Sequence, residues 1–297
     1  MKNEYEERLK AEKESFEAYL ETRMQEEDPE VQTLWESMRY SLLGGGKRIR
    51  ALLLIMTGRS LGLAAETLYP CGAALEMIHA YSLIHDDLPA MDNDDWRRGR
   101  LTNHKVYGEA GAILAGDGLL NLAYEVVAAE LQKDPSVKKI NAFACLAAAA
   151  GPRGMVAGQS ADLAFEGKQA SLEDLQYIER HKTGCLLTAP LVMAGLLAGV
   201  EEDAAVQLEK AGQAAGRAFQ IWDDVLDVEG SFEELGKPLH SDEAKEKATF
   251  VSCFGLEKAK AEAIRLSAEA EQALAFLPDE AGEMVRLLIR KLAARKK

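Results

Sequence analysis

Apolar residues recur three and four positions apart through long stretches of the chain, and short breaks separate one stretch from the next. That period predicts helices over 3–25, 30–43, 47–62, 66–88, 105–132, 136–150, 153–165, 171–199, 202–228, 243–275 and 279–295. Alternation of period two is nearly absent. There is no internal repeat, low-complexity tract or Pro/Gly/Ser-rich linker, so the pattern predicts one all-α domain spanning residues 1–297. Composition agrees: Ala occurs 46 times, whereas Ile, Val and Thr together reach 31, a balance that favours helices over sheets.

Charge and cysteine usage narrow the function classes. A net charge of −14 excludes most nucleic-acid binders, which need a basic footprint, but leaves room for a local basic pocket. The opening Met1-Lys2-Asn3-Glu4 is too charged for a secretory segment. The longest apolar runs, such as Ala189 to Val200, hold about a dozen residues, short of the ~20 that span a bilayer, so no membrane span is expected. Cys71, Cys145, Cys185 and Cys253 are scattered without a CxxC pair and read as reduced thiols of a cytoplasmic protein.

Two acidic clusters interrupt the apolar pattern. Glu76, His79, Leu83 and Asp86 share one helical stripe, and Pro89 should disturb the helix just beyond Asp87. Asp92 lies six residues past Asp86, off the stripe of a straight helix, and a bulge near Pro89 would return it to Asp86's side. In the second cluster Gln220, Asp223 and Asp227 share a face with Asp224 alongside. Asp-rich segments are commonly solvated surface. Here Leu83-Ile84 and Val225-Leu226 embed them in apolar helices, where stacked carboxylates need a cation. Hard oxygen donors on rigid helices suit Mg2+, which keeps several waters and is completed by phosphate oxygens. A Gly-rich loop, Gly44-Gly45-Gly46, opens into Lys47-Arg48-Ile49-Arg50; it is either a plain connection or an anion site at a helix start. Lys47, Arg50, Arg97, Arg98, Lys182, Lys237 and Lys247 all sit in or beside breaks between apolar helices. Carboxylates with Mg2+ plus a separate set of Lys and Arg describe a site for two polyanionic groups.

At these residues the chain resembles the trans-prenyl diphosphate synthases, and within them the bacterial farnesyl diphosphate synthases. The resemblance runs from about Leu43 to Leu256. Asp86-Asp87-Leu88-Pro89-Ala90-Met91-Asp92 through Arg97-Arg98-Gly99 is similar to the family's first aspartate-rich motif, and Asp223-Asp224-Val225-Leu226-Asp227 to its second. Gly45-Gly46-Lys47-Arg48-Ile49-Arg50, Gly158-Gln159 with Asp162, and Lys182-Thr183-Gly184 match in order. The resemblance implies a bundle of about ten long helices around a central cavity, the isoprenoid synthase type I fold, usually a homodimer. It implies condensation of isopentenyl diphosphate with dimethylallyl and geranyl diphosphate, with three Mg2+ per substrate-loaded site. Direct metal ligands would be Asp86, Asp92 and Asp223, supported by Asp87, Asp224 and Asp227. Arg97, Lys182, Thr183, Gln220 and Lys237 would contact the allylic diphosphate; Lys47, Arg50, His79 and Arg98 would hold isopentenyl diphosphate. Oxygens of Lys182, Thr183 and Gln220 would stabilise an allylic cation. Ser82 and Tyr81, four and five positions before Asp86, would limit chain length, and the aromatic Tyr81 points to a fifteen-carbon product ahead of a twenty-carbon one. His79 alone would read as a core histidine; the motif gives it a substrate role. His85 and Trp222 read as packing residues.

Departures touch the flanks: Ala51 for a common Pro, His240 for a Gly in the loop holding Lys237, and Phe250-Val251 for Tyr-Pro. Other readings explain less. A class I terpene cyclase would not need Lys47, Arg50 and His79, and a non-catalytic regulatory subunit should have lost part of one aspartate motif. A cation store leaves the Lys and Arg positions unexplained. Arg295-Lys296-Lys297 reads as a solvated tail.

Overall fold

The computed structural model describes residues 2–26, 28–165, 168, 171–229 and 249–294. The described chain is almost wholly helical, and its contacts group into two compact units: Met1–Ile55 with Ala65–Pro135, and Met56–Ala64 with Ser136–Lys297.

In the first unit lie α1 (Lys2–Thr22), α2 (Gln32–Leu42), α4 (Ala65–Asp86), α5 (Asn103–Lys133) and the first turns of α3 (Ile49–Ser60). Helix α4 is the core: from Leu68 to Ile78 nearly every side chain is buried, as befits a helix apolar on all faces. Burying each Leu or Ile of that run contributes roughly 1.5–3 kcal/mol. It packs on α2 and α5, and α5 meets it with a buried seam of Ala112, Ala115, Gly116, Leu119 and Ala123. Small residues there allow close approach, and His85 of α4 reaches the Ile113 carbonyl on α5 at 3.0 Å. This fits its reading as a packing residue.

A feature absent from the sequence expectation follows α4. Strands β1 (Trp96–Arg97) and β2 (Arg100–Leu101) pair antiparallel across a two-residue turn. Arg98 (φ 53°) and Gly99 (φ 73°) both take left-handed backbone, the conformation of the tight hairpin turn that matches strand twist.

The second unit contains α6 (Val137–Ala150), α7 (Met155–Phe165), α8 (Leu172–Ile178), α9 (Cys185–Ala198), α10 (Glu202–Glu229), α11 (Phe250–Phe254), α12 (Leu256–Ala273) and α13 (Asp279–Ala294). Helices α8 and α9 form the single stretch expected over 171–199, but Glu179–Gly184 between them winds as a π-helix. The stretch expected over 243–275 is divided instead: Gly255, at φ 84°, separates α11 from α12, and residues 243–248 lie outside the described residues. Helix α10 packs against α9, the π segment, α12 and α13. Its approach to the π segment depends on glycine: a Cβ on Gly216 would lie 2.8 Å from the Gly184 Cα.

Three helical stretches, Asn103–Lys133, Val137–Phe165 and Leu172–Ala198, are long and apolar enough by length and composition to cross a membrane. The expected dozen-residue ceiling missed them because Ala and Gly keep hydropathy high without a continuous Leu/Ile/Val run. The second is broken by a turn at Gly151–Gly154, and the third buries Leu186, Leu187, Leu191 and Met193 inside the protein.

Gly216→Ala should cost about 1–3 kcal/mol, because backbone rather than a flexible side chain stands in the way of the new methyl. Thermal unfolding followed by circular dichroism checks this. An unchanged midpoint would show that the two segments separate without penalty.

Candidate active site

The end of α4 delivers the first acidic cluster. After Asp86 the chain turns through Leu88 and Pro89, and the Asp92 amide donates to the Asp86 carbonyl at 2.8 Å. The six-residue gap is thereby closed, and the two aspartates stand at neighbouring backbone positions as the bulge reading expects. Asp87 points elsewhere. It is buried and held bidentately by Arg97, whose Nε donates to both carboxylate oxygens at 2.8 and 2.9 Å while Nη2 lies 2.6 Å from Oδ1. Burial pushes the Asp87 carboxyl above its usual range, and the arginine pulls it back. The hairpin register sets Arg97 opposite Arg100 and leaves Arg98 at the turn. A solvent-open volume of about 410 Å3 lies beside them, lined among others by Tyr40, Leu83, Asp87, Arg97 and Arg98.

The basic residues of the same unit gather around His79. Arg98 donates from Nη1 to the Gly45 carbonyl at 2.6 Å, and a Cβ on Gly46 would press within 3.0 Å of that guanidinium. Gly46, at φ 129°, thus serves both the turn and the close approach. Burial, reinforced by Arg50, Arg98, Arg97 and Arg48, drives the His79 pKa well below 6.5. The ring is neutral, so it can donate one hydrogen bond without adding charge. Tyr81 is buried two residues on, edge-to-face with His85 at 5.7 Å, and burial pushes its phenol up to about 12. Ser82 donates back to the His79 carbonyl at 2.9 Å.

The second unit holds a hydrogen-bonded chain. Thr183 in the π segment donates to Gln220 of α10 at 2.9 Å, and Gln220 donates to Asp224 at 3.3 Å. Asp224 also accepts from the Phe250 amide at the start of α11, at 2.9 Å. Lys182 pairs with Asp162 of α7 at 2.6 Å. That contact needs Gly158, since a Cβ there would overlap the Lys182 backbone nitrogen. Glu179, also in the π segment, is buried with Arg217 at 3.6 Å; burial outweighs the arginine and lifts its carboxyl to about 7. Asp223 is partly exposed, and Asp227 one turn on is buried. Trp222 is largely covered, consistent with packing.

Lys237, with Lys247, His240 and the terminal Arg295-Lys296-Lys297, lies outside the described residues. Among the described residues no three or more His, Cys, Asp or Glu side chains form a group that could hold a metal ion unaided. The candidate donors are Asp86 and Asp92, joined through their backbones, and Asp223 and Asp227, one turn apart on α10. Such hard-oxygen pairs fit a cation that keeps waters and takes its remaining oxygens from a phosphate. Three structural roles escaped the sequence reading: Asp87 as the partner of Arg97, Asp162 as that of Lys182, and the burial of Arg48. A single acidic residue beside a basic one in sequence carries no signal of which will fold onto which.

The profile of the polyprenyl synthetase family matches residues 31–276. The chain belongs to this family. This polyprenyl synthetase is 46% identical over 263 residues to a farnesyl diphosphate synthase of Geobacillus stearothermophilus, covering 88% of each chain. It is 50% identical over 233 residues to a farnesyl diphosphate synthase of Micrococcus luteus, covering 78% and 79%. A chloroplastic geranylgeranyl pyrophosphate synthase of Capsicum annuum is 44% identical over 246 residues, covering 82% of this chain and 67% of the other. Among solved structures, a geranyltransferase from Helicobacter pylori complexed with magnesium and isoprenyl diphosphate superposes with a TM-score of 0.84 at 32% identity, covering 96% and 95%. The all-α architecture expected from the sequence stands in the polyprenyl synthetase and its structural relatives alike.

The electrostatics of His79 give a sign that can be tested. An ordinary imidazole is half protonated near pH 6.5, whereas His79 should stay neutral there. Its contribution to stability is lost as pH falls below 6.5, because the unfolded chain takes the proton first. A proton–nitrogen NMR titration of the ring checks this; a midpoint at or above 6.5 would refute it.

Proposed function

We propose that this polyprenyl synthetase condenses isopentenyl diphosphate with dimethylallyl and then geranyl diphosphate, releasing diphosphate and farnesyl diphosphate. The observation that carries the reading is the pairing, within one unit, of carboxylates at the end of α4 with a separate set of arginines around His79. Carboxylates suit a metal-held diphosphate, and Lys47, Arg50, His79 and Arg98 suit a second one held directly.

In the proposed assignment Asp86, Asp92 and Asp223 are direct Mg2+ ligands, three ions serving a substrate-loaded site. Asp87, Asp224 and Asp227 support them from positions fixed by the protein. Mg2+ held by these carboxylates would supply charge neutralisation for the departing diphosphate. Arg97, Lys182, Thr183, Gln220 and Lys237 orient the allylic diphosphate so that its C–O bond breaks toward the cations. The double bond of isopentenyl diphosphate then forms the new C–C bond, and a proton leaves to the released diphosphate. Oxygens of Lys182, Thr183 and Gln220 face the developing allylic cation, and apolar surroundings keep water away from it. The reading treats residues 1–297 as one cytoplasmic catalytic domain acting as a homodimer, without a membrane span.

Tyr81 supports a fifteen-carbon product: a buried aromatic on α4, braced against His85, suits a floor under the growing chain. The presence of geranylgeranyl synthases among the relatives keeps a twenty-carbon product as the second reading.

Incubation with Mg2+, labelled isopentenyl diphosphate and dimethylallyl diphosphate, followed by chromatography of the dephosphorylated products, should give a fifteen-carbon alcohol. A longer alcohol would retain the chemistry and move the floor; no elongation would overturn the reading. Tyr81→Ala should shift the main product to twenty carbons or more, and an unchanged product would place the floor elsewhere. Asp86→Ala should lower turnover at least a hundredfold. Near-normal activity at saturating Mg2+ would remove it from the ligand set.

A further inference from the structure

Among the basic residues of the Gly-rich loop, Arg48 stands apart because it is buried, with only 3% of its side chain exposed. Its backbone is left-handed, at φ 51°, a conformation uncommon for any residue but glycine. Two carboxylates from different helices meet its side chain. Nε donates to Glu17 of α1 at 3.0 Å, and Nη1 lies 3.6 Å from Glu76 of α4. Glu76 is itself buried and accepts from the Ala51 amide at 3.2 Å, capping the first turn of α3 with its other oxygen.

The groups tied down in this way flank every residue assigned to isopentenyl diphosphate in this unit. Lys47 precedes Arg48 and Arg50 follows it by two. His79 is one helical turn beyond Glu76, and Gly45, which accepts from Arg98, lies three residues before Arg48. Four arginines act on His79 together and repel one another, so their cluster needs an internal counter-charge. Glu76 supplies it from behind, leaving the solvent side of the pocket to an anion.

We propose that the Glu17–Arg48–Glu76 triad, buried at Arg48 and Glu76, is a positioning device that presets the loop Gly45–Arg50 and His79 for the homoallylic diphosphate. The inference rests on the substrate assignment above. Arg48 does not touch substrate; it acts by holding its neighbours. The guanidinium fork is required because one ammonium cannot reach Glu17 and Glu76 together.

Arg48→Lys keeps the charge and loses the fork. It should raise KM for isopentenyl diphosphate at least tenfold while KM for geranyl diphosphate and kcat stay within twofold of wild type. Glu17→Ala, at a half-open position on α1, should raise the same KM about threefold and decides the matter should Arg48→Lys fail to fold. Equal rises in both KM values, or an isopentenyl KM within twofold of wild type in the folded variants, would overturn the proposal. Calorimetric binding of isopentenyl diphosphate alone separates this from failure of the parent reading. Absent condensation with a weakened Kd in the variants would sink prenyl transfer and keep the triad. An unchanged Kd would sink the triad whatever the turnover.

Discussion

Charge carried into an apolar helix has to be answered, and the arrangement around α4 follows from that requirement. Glu76 on α4 and Asp87 just past its end are both buried, against a helix whose other faces are Leu, Ile, Ala and Met. An unpaired carboxylate there would shift its pKa or unfold the helix end, since desolvation costs several kcal/mol. Each is met by an arginine from an adjoining segment: Arg48 from the Gly-rich loop and Arg97 from the hairpin. The two loops meet α4 at its buried charge, and with them come Arg50, Arg98, Arg97 and Arg48, the cations that act on His79. Burial first, and the arginines second, hold the His79 pKa well below its ordinary value.

The irregular backbone falls at the same places. The turn after Asp87, the left-handed Arg48 and Arg98, and the π segment at Glu179–Gly184 are each departures that a regular helix would avoid. A π turn widens the ladder by one residue and is commonly found at functional sites. Here it aims Lys182 at Asp162 and Thr183 at Gln220, and it survives because Gly158, Gly184 and Gly216 let the neighbouring backbones close on it. Regular structure supplies the frame, and local departures from it aim the polar groups.

Much of this was legible in the sequence, and what was not has a physical reason. The helices from α1 to α10 lie close to the expected stretches, because long apolar runs punctuated by breaks are a local property, even where, as in α4, apolar residues cover every face. The return of Asp92 to Asp86 was legible too, since Pro89 forbids the straight alternative. The hairpin was not: two residues per strand give no alternation to read, and only Arg98-Gly99 hints at the turn. Nor was Arg48. Within Lys47-Arg48-Ile49-Arg50 it looks like another solvent-facing cation, and its burial is decided by Glu17 and Glu76, 31 and 28 positions away. The π segment hides inside a stretch whose hydropathy is continuous.

The two aspartate motifs also share a division of labour that their sequences do not announce. In each, the second aspartate is buried and fixed by the protein: Asp87 by Arg97, Asp224 by Gln220 and the Phe250 amide. The first, Asp86 or Asp223, keeps partial exposure. The partners differ in kind, a guanidinium in one unit and two neutral donors in the other, so the likeness does not come from a repeated local structure. It follows from two carboxylates side by side on a helix: adjacent positions diverge by about 100°, so when one faces the core the other faces outward. An inward carboxylate must find donors, and in finding them it pins the neighbouring segment, the hairpin in one case and the start of α11 in the other. An Asp-Asp pair on, or at the end of, an apolar helix therefore anchors the structure with one residue and leaves the other partly exposed.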